Sequence, residues 1–99
     1  MTTPQIPEGA QVYKRSPTFS TDGCPAALLR EHRTKAGVWG RIVVEAGALT
    51  LTMCEPEREE VRVTPSQPAV LPPTALHFVA LEPGTRFHIE FHHIPEAGQ

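Results

Sequence analysis

Short runs in which apolar and polar residues alternate, separated by breaks rich in Gly and Pro, recur along this 99-residue chain. The clearest lies near the C-terminus, where Phe87, Ile89 and Phe91 occupy every second position and Arg86, His88, Glu90 and His92 stand between and around them. A period of two places successive side chains on opposite faces of a strand, so Arg86 to His92 is predicted as a half-buried strand. Leu49, Leu51 and Met53 repeat the spacing within Ala48 to Cys54, and the β-branched run Val38 to Glu45 precedes them across Ala46-Gly47. A small-residue pair between two such runs predicts a tight hairpin.

Further strands are predicted at Gln11 to Lys14, Val61 to Thr64, Ala69 to Leu71 and Leu76 to Leu81. The breaks between them are Ser20-Thr21-Asp22-Gly23, Pro65-Ser66-Gln67-Pro68, Pro72-Pro73 and Pro83-Gly84, each with turn chemistry. The charged run Glu55 to Glu60 reads as a solvated hairpin tip. Ala26 to Arg33 is ambiguous: Ala, Leu and Arg favour helix, whereas Pro25 and the short length allow a strand, and it is assigned to a strand. The expected result is one all-β domain over residues 1–99, with an extended arm at 1–9 and a tail at 94–99.

Composition narrows the class. The chain has the length of one globular domain and is 39% hydrophobic, enough for one core. Nine Lys and Arg against 11 Asp and Glu leave a net charge of -2 and no basic run, which disfavours nucleic acid or an anionic membrane as partner. No apolar stretch approaches the roughly 20 residues that cross a bilayer, and Met1 to Ala10 lack the pattern of a signal peptide, so a cytoplasmic protein is expected. Cys24 and Cys54 are too few for a disulfide framework and are read as free thiols with apolar packing.

The unusual feature is five histidines: His32, His77, His88, His92 and His93. On the last strand Glu90 shares a face with His88 and His92, successive same-face residues lying roughly 7 Å apart. Were that face turned into a barrel, these groups would need a ligand or metal, because burying bare polar groups costs several kcal/mol. Were it solvated, they would be ordinary surface residues, the commoner case for His92 and His93. Alone, His32 reads as a surface histidine amid Arg30, Glu31, Arg33 and Lys35, and His77 as a core histidine beside Leu76 and Phe78.

Several blocks taken together point further. The run His32 to Val44, the following Glu45-Ala46-Gly47, Val70-Leu71-Pro72-Pro73 with His77, Arg86 to Phe91, and the opening Tyr13 to Phe19 resemble the small cupin-like domain family related to the N-terminal part of TehB-type tellurite-resistance proteins. The resemblance spans about residues 7 to 92. It implies a jelly-roll type of antiparallel β-barrel or sandwich, a homodimer, and a divalent metal inside the barrel. Gly47 resembles the glycine that closes the first cupin motif, but Thr34 or Lys35 and Trp39 or Gly40 stand where that motif has its second His and its Glu. The reduced ligand set so implied is His32, His77 and Glu90, with His88 as fourth ligand or as the donor orienting Glu90, and with Trp39, Arg41 and Phe78 lining the pocket. Arg41 reads either as a neutraliser of an anionic ligand or as a partner for a glutamate.

Two histidines and one carboxylate suit zinc first, then iron or nickel, and leave positions open for water or substrate. Full-length proteins of this type are expected to carry their chemistry in a separate S-adenosylmethionine-dependent methyltransferase domain, for which this chain has no glycine-rich strand-to-helix loop. The expected function is therefore a metal-binding protein that binds or senses a small molecule or oxyanion in a stress response. The alternatives are a metal-dependent enzyme, hydrolytic or oxygenase in type, and a metal-free interaction module.

Overall fold

In the computed structural model the described residues are 5–94. Among them the alternating runs form nine strands: β1 Gln11–Arg15, β2 Phe19–Ser20, β3 His32–Arg33, β4 Trp39–Ala46, β5 Leu49–Met53, β6 Glu59–Val63, β7 Ala69–Leu71, β8 Leu76–Leu81 and β9 Arg86–His93. β7 and β8 coincide with the expected strands. Residues 1–4 of the expected arm and 95–99 of the expected tail lie outside the described residues.

The strands divide into two antiparallel sheets. The first runs β1-β9-β4-β7, with β2 also on β9, and the second runs β3-β8-β5-β6. Ile42, Val44, Phe87 and Ile89 of the first sheet meet Leu49, Leu51, Val63 and Val79 of the second in one core. The all-β expectation holds. The expected barrel does not: among the described residues no ladder joins an edge of one sheet to an edge of the other, and the layers stack as an open sandwich. The edges are ill suited to closure, since β3 has two residues, β7 three, and β6 is exposed at every position but Val63.

Two local expectations are corrected. Ala46-Gly47 does not close a hairpin, because β4 belongs to one sheet and β5 to the other, so the chain turns a corner between layers. Gly47 makes that corner possible. Its φ is +77°, and a Cβ there would lie 2.7 Å from Thr85 Oγ1 and 2.8 Å from Thr85 Cα. Pro83-Gly84 turns the second such corner, between β8 and β9, and the two are fastened through the fully buried Thr85. The Ala48 amide donates to Thr85 Oγ1 at 3.2 Å, and that hydroxyl lies 2.7 Å from both the Ala48 and Glu82 carbonyls.

The segment 26–33 is not one strand but a 3-10 helix over Ala26–Leu29 followed by β3. Pro25, at φ -57°, starts the turn and accepts from the Leu28 amide at 3.0 Å, and Arg30 returns to extended backbone. The charged run at 55–60 behaves as expected, joining β5 to β6 in an antiparallel hairpin. No helix among the described residues is long and apolar enough to cross a membrane.

Candidate functional site

β3 and β8 pair so that His32 stands directly opposite His77. Both side chains turn inward, with ring centroids 4.3 Å apart and planes inclined at 60°. The same local device orients each ring: His32 Nδ1 lies 2.8 Å from the Arg30 carbonyl, and His77 Nδ1 lies 2.8 Å from the Ala75 carbonyl. A carbonyl only accepts, so each Nδ1 carries the proton and each Nε2 of a neutral ring keeps its lone pair. Burial pushes the His77 pKa down, the Ala75 hydrogen bond opposes this, and the neighbouring His32 adds to the depression.

The turn before β8 holds the pair in register. Thr74 sits at φ +59°, its amide donates to the Thr34 carbonyl at 3.0 Å, and the Thr34 amide donates to the Ala75 carbonyl at 3.1 Å. Arg33 adds a fork onto Glu55, at 2.7 and 3.0 Å, and a bond to the Thr74 carbonyl at 3.0 Å.

The histidines form the polar end of a cavity of about 170 Å³ between the sheets. Leu28, Gly40, Leu71, Ile89 and Phe91 give it apolar walls, and Arg33, Thr34 and Lys35 lie along its rim. A Cβ on Gly40 would come within 3.3 Å of Leu71, so glycine keeps that wall low. Thr34 Oγ1 is buried without a hydrogen-bond partner among the described residues. A mostly apolar cleft with a few convergent polar groups is the usual form of a small-molecule site.

The other expected site residues lie elsewhere. Phe87 and Ile89 fill the core, so strand alternation sends His88 and Glu90 to the opposite, outer face of the first sheet. There Glu90 Oε2 accepts from Arg15 Nη2 at 2.9 Å, and His88 Nδ1 donates to Glu45 Oε2 at 2.7 Å. His32, His77 and Glu90 therefore do not converge, and the cavity is not lined by His88. Nor is it lined by Trp39, Arg41 or Phe78. Trp39 and Arg41 alternate with the inward Gly40 and Ile42, and Phe78 faces outward from the second sheet beneath the Arg58 guanidinium, 5.6 Å from its ring centroid. Among the described residues no group of three or more His, Cys, Asp or Glu is placed to hold a metal ion. The donors present fit at most a two-imidazole site.

Sequence reasoning missed Leu28, Leu71 and the rim residue Thr34. The alternation of β9 marks two unlike faces, but which of them looks inward, and which apolar residues border a cavity, depends on how the sheets stack.

The model of the TehB-like domain matches residues 14–89. The chain belongs to the TehB-like domain family. Two solved structures support the same relationship for this TehB-like domain. A crystal structure of a protein from Escherichia coli K12 superposes with a TM-score of 0.86 at 26% identity, covering 95% of this chain and 100% of that one. TehB from Haemophilus influenzae superposes with a TM-score of 0.79 at 27% identity, covering 88% of this chain but 32% of that one. The TehB-like domain thus spans about a third of that TehB. No curated protein matches the sequence.

Proposed function

We propose that this TehB-like domain is a binding module that takes a small oxyanion or similar anionic molecule in the inter-sheet cavity, with His32 and His77 as its recognition groups. The observation that carries the reading is the imidazole pair, each ring anchored through Nδ1 so that Nε2 is left for a ligand. A neutral Nε2 accepts a hydrogen bond, so the favoured ligand is a hydrogen-bearing oxyanion whose O–H donates to His77 and whose charge is balanced by Lys35 on the rim. The tellurite association implied by the resemblance makes tellurite a natural probe.

A second reading places a divalent metal on the two Nε2 atoms, zinc first, then iron or nickel. Its support is the Nδ1–H···O=C anchor, the arrangement commonly found behind metal-bound histidines. Bound there, a metal would supply positive charge and open positions for an oxyanion. A metal-dependent enzyme needs more than this pair, and a metal-free interaction module would leave the pair without a ligand. The corners at Gly47 and Gly84, where the chain passes from sheet to sheet, support a cupin-type jelly roll as the finer description of the sandwich. Two unbridged cysteines suit a reducing cytoplasm.

Thermal shift and calorimetry on metal-free protein test the proposal, using tellurite, selenite, phosphate and zinc chloride as separate probes. We expect an oxyanion alone to raise the melting temperature, and His77→Ala and Lys35→Ala each to abolish the rise. A ligand at 100 times its Kd adds about 2.7 kcal/mol to the native state. Stabilisation by zinc alone that is lost in His77→Ala and kept in Lys35→Ala would move the conclusion to the metal. Silence from every probe would sink both readings.

A further inference from the structure

The cavity between the sheets is larger and more apolar than a bare oxyanion needs. Its volume of about 170 Å³ has room for about ten non-hydrogen atoms at the packing density of protein interiors, about twice the bulk of an inorganic oxyanion. Leu28, Leu71, Ile89 and Phe91 make most of its wall hydrocarbon. A smaller void of about 10 Å³ touches the same two histidines and is otherwise bordered by hydrocarbon, Ile42, Val79 and Phe87 included. An anion lodged against such a wall gives up its hydration, which is costly wherever no partner replaces the lost water. Apolar atoms in the same place gain by leaving water.

The polar groups around this hydrocarbon are of two kinds. His32 Nε2 and His77 Nε2 are acceptors, because each Nδ1 donates its proton to a carbonyl, and His77 is only 3% exposed. Thr34, two residues on from His32, adds a buried hydroxyl with no hydrogen-bond partner among the described residues. Positive charge is confined to the rim. There Arg33 is already engaged with Glu55 and with the Thr74 carbonyl, so the exposed Lys35 is the rim cation that remains for a ligand. A molecule that answers all of these features carries a hydrogen to donate, a hydrocarbon body and a negative charge, with the charge apart from the donor.

We propose that the ligand of this cavity is a small organic hydroxy acid, of the bulk of one substituted aromatic ring. Its O–H donates to the histidine pair, its hydrocarbon body lies against Leu28, Leu71, Ile89 and Phe91, and its carboxylate meets Lys35. The inference rests on the reading of the cavity as an anion site and names the kind of anion. An analogue without the hydroxyl leaves the buried Nε2 acceptors unpaired, and a site that bonds a substrate hydroxyl discriminates strongly against its loss. An inorganic oxyanion keeps the polar contacts but buries no hydrocarbon, so it binds the same site more weakly.

Calorimetry of the full chain with 4-hydroxybenzoate, benzoate, phenol and phosphate tests this, since the last three lack in turn the hydroxyl, the charge and the hydrocarbon. The Kd of 4-hydroxybenzoate is expected to lie at least about tenfold below each of the others. In NMR spectra it should move the methyl signals of Leu28, Leu71 and Ile89. Lys35→Ala, a change at an exposed position, should weaken 4-hydroxybenzoate to the level of phenol. Parity of any other probe with 4-hydroxybenzoate, unmoved methyl signals, or a Kd that Lys35→Ala leaves unchanged would each overturn the inference. Tellurite, selenite or phosphate binding that His77→Ala abolishes, in a chain that ignores 4-hydroxybenzoate, would overturn it while leaving the anion site standing. Silence from every one of these probes would remove the anion site and this inference together.

Discussion

His77 has its charge set by burial more than by any partner. Its pKa is held below the ordinary imidazole value of about 6.5, so the folded chain binds fewer protons there than the unfolded chain. Stability then rises with pH where the unfolded ring still takes up protons. The contribution is complete above about pH 7 and is lost as pH falls through about 6.5 toward the lower folded value. Denaturant titrations across that range should show this slope, and His77→Asn should flatten it; an unchanged slope would put the titration on another histidine. His77 and His32 were legible in the sequence only as a pair, through the blocks around them. Glu90 was not: its strand alternates cleanly, but alternation states that two faces differ and leaves open which looks inward. Burying Phe87 and Ile89 contributes about 1.5–3 kcal/mol each, whereas burying an imidazole and a carboxylate costs energy, and that difference turned the strand.

At the scale of elements, the instructive case is the corner between β4 and β5. A small-residue pair between two apolar runs is equally compatible with a hairpin and with a crossing between layers. Only Thr85, 38 residues further along, decides, because its buried hydroxyl occupies the space beside Gly47. Gly47→Ala should cost at least about 1–3 kcal/mol, from a left-handed backbone with a side chain and from displacement of Thr85. Thr85→Val keeps the shape but strips the hydroxyl from the Ala48 and Glu82 groups, for an expected loss of about 1–3 kcal/mol. Because both substitutions disturb one contact, the double variant should lose less than the sum; strict additivity in denaturant melts would show that the corners are independent. The segment 26–33 failed for a different reason. Pro25 allows a strand, but its fixed φ also begins a helical turn, and four residues are too few for periodicity to arbitrate.

For the whole molecule, order should grade from the cavity toward the centre of the first sheet. The 3-10 helix has no buried residue and β3 has only two residues, while β4 and β9 pair along most of their length. Amides of β3 and the 3-10 helix should therefore exchange with solvent first, and those that bond within the β4–β9 ladder last, as read by NMR. Protection in β3 equal to that in β4 would mean the cavity wall is as firm as the core. The open sandwich also leaves four strand borders that a closed barrel would abolish. β1 carries Lys14 and Arg15, β6 carries Glu59, Glu60 and Arg62, β3 stops after two residues, and β7 is hemmed between Pro68 and Pro72. Charge, brevity and proline are the means by which strands are kept from templating their neighbours. A chain guarded in this way can crowd in solution without zipping into ribbons.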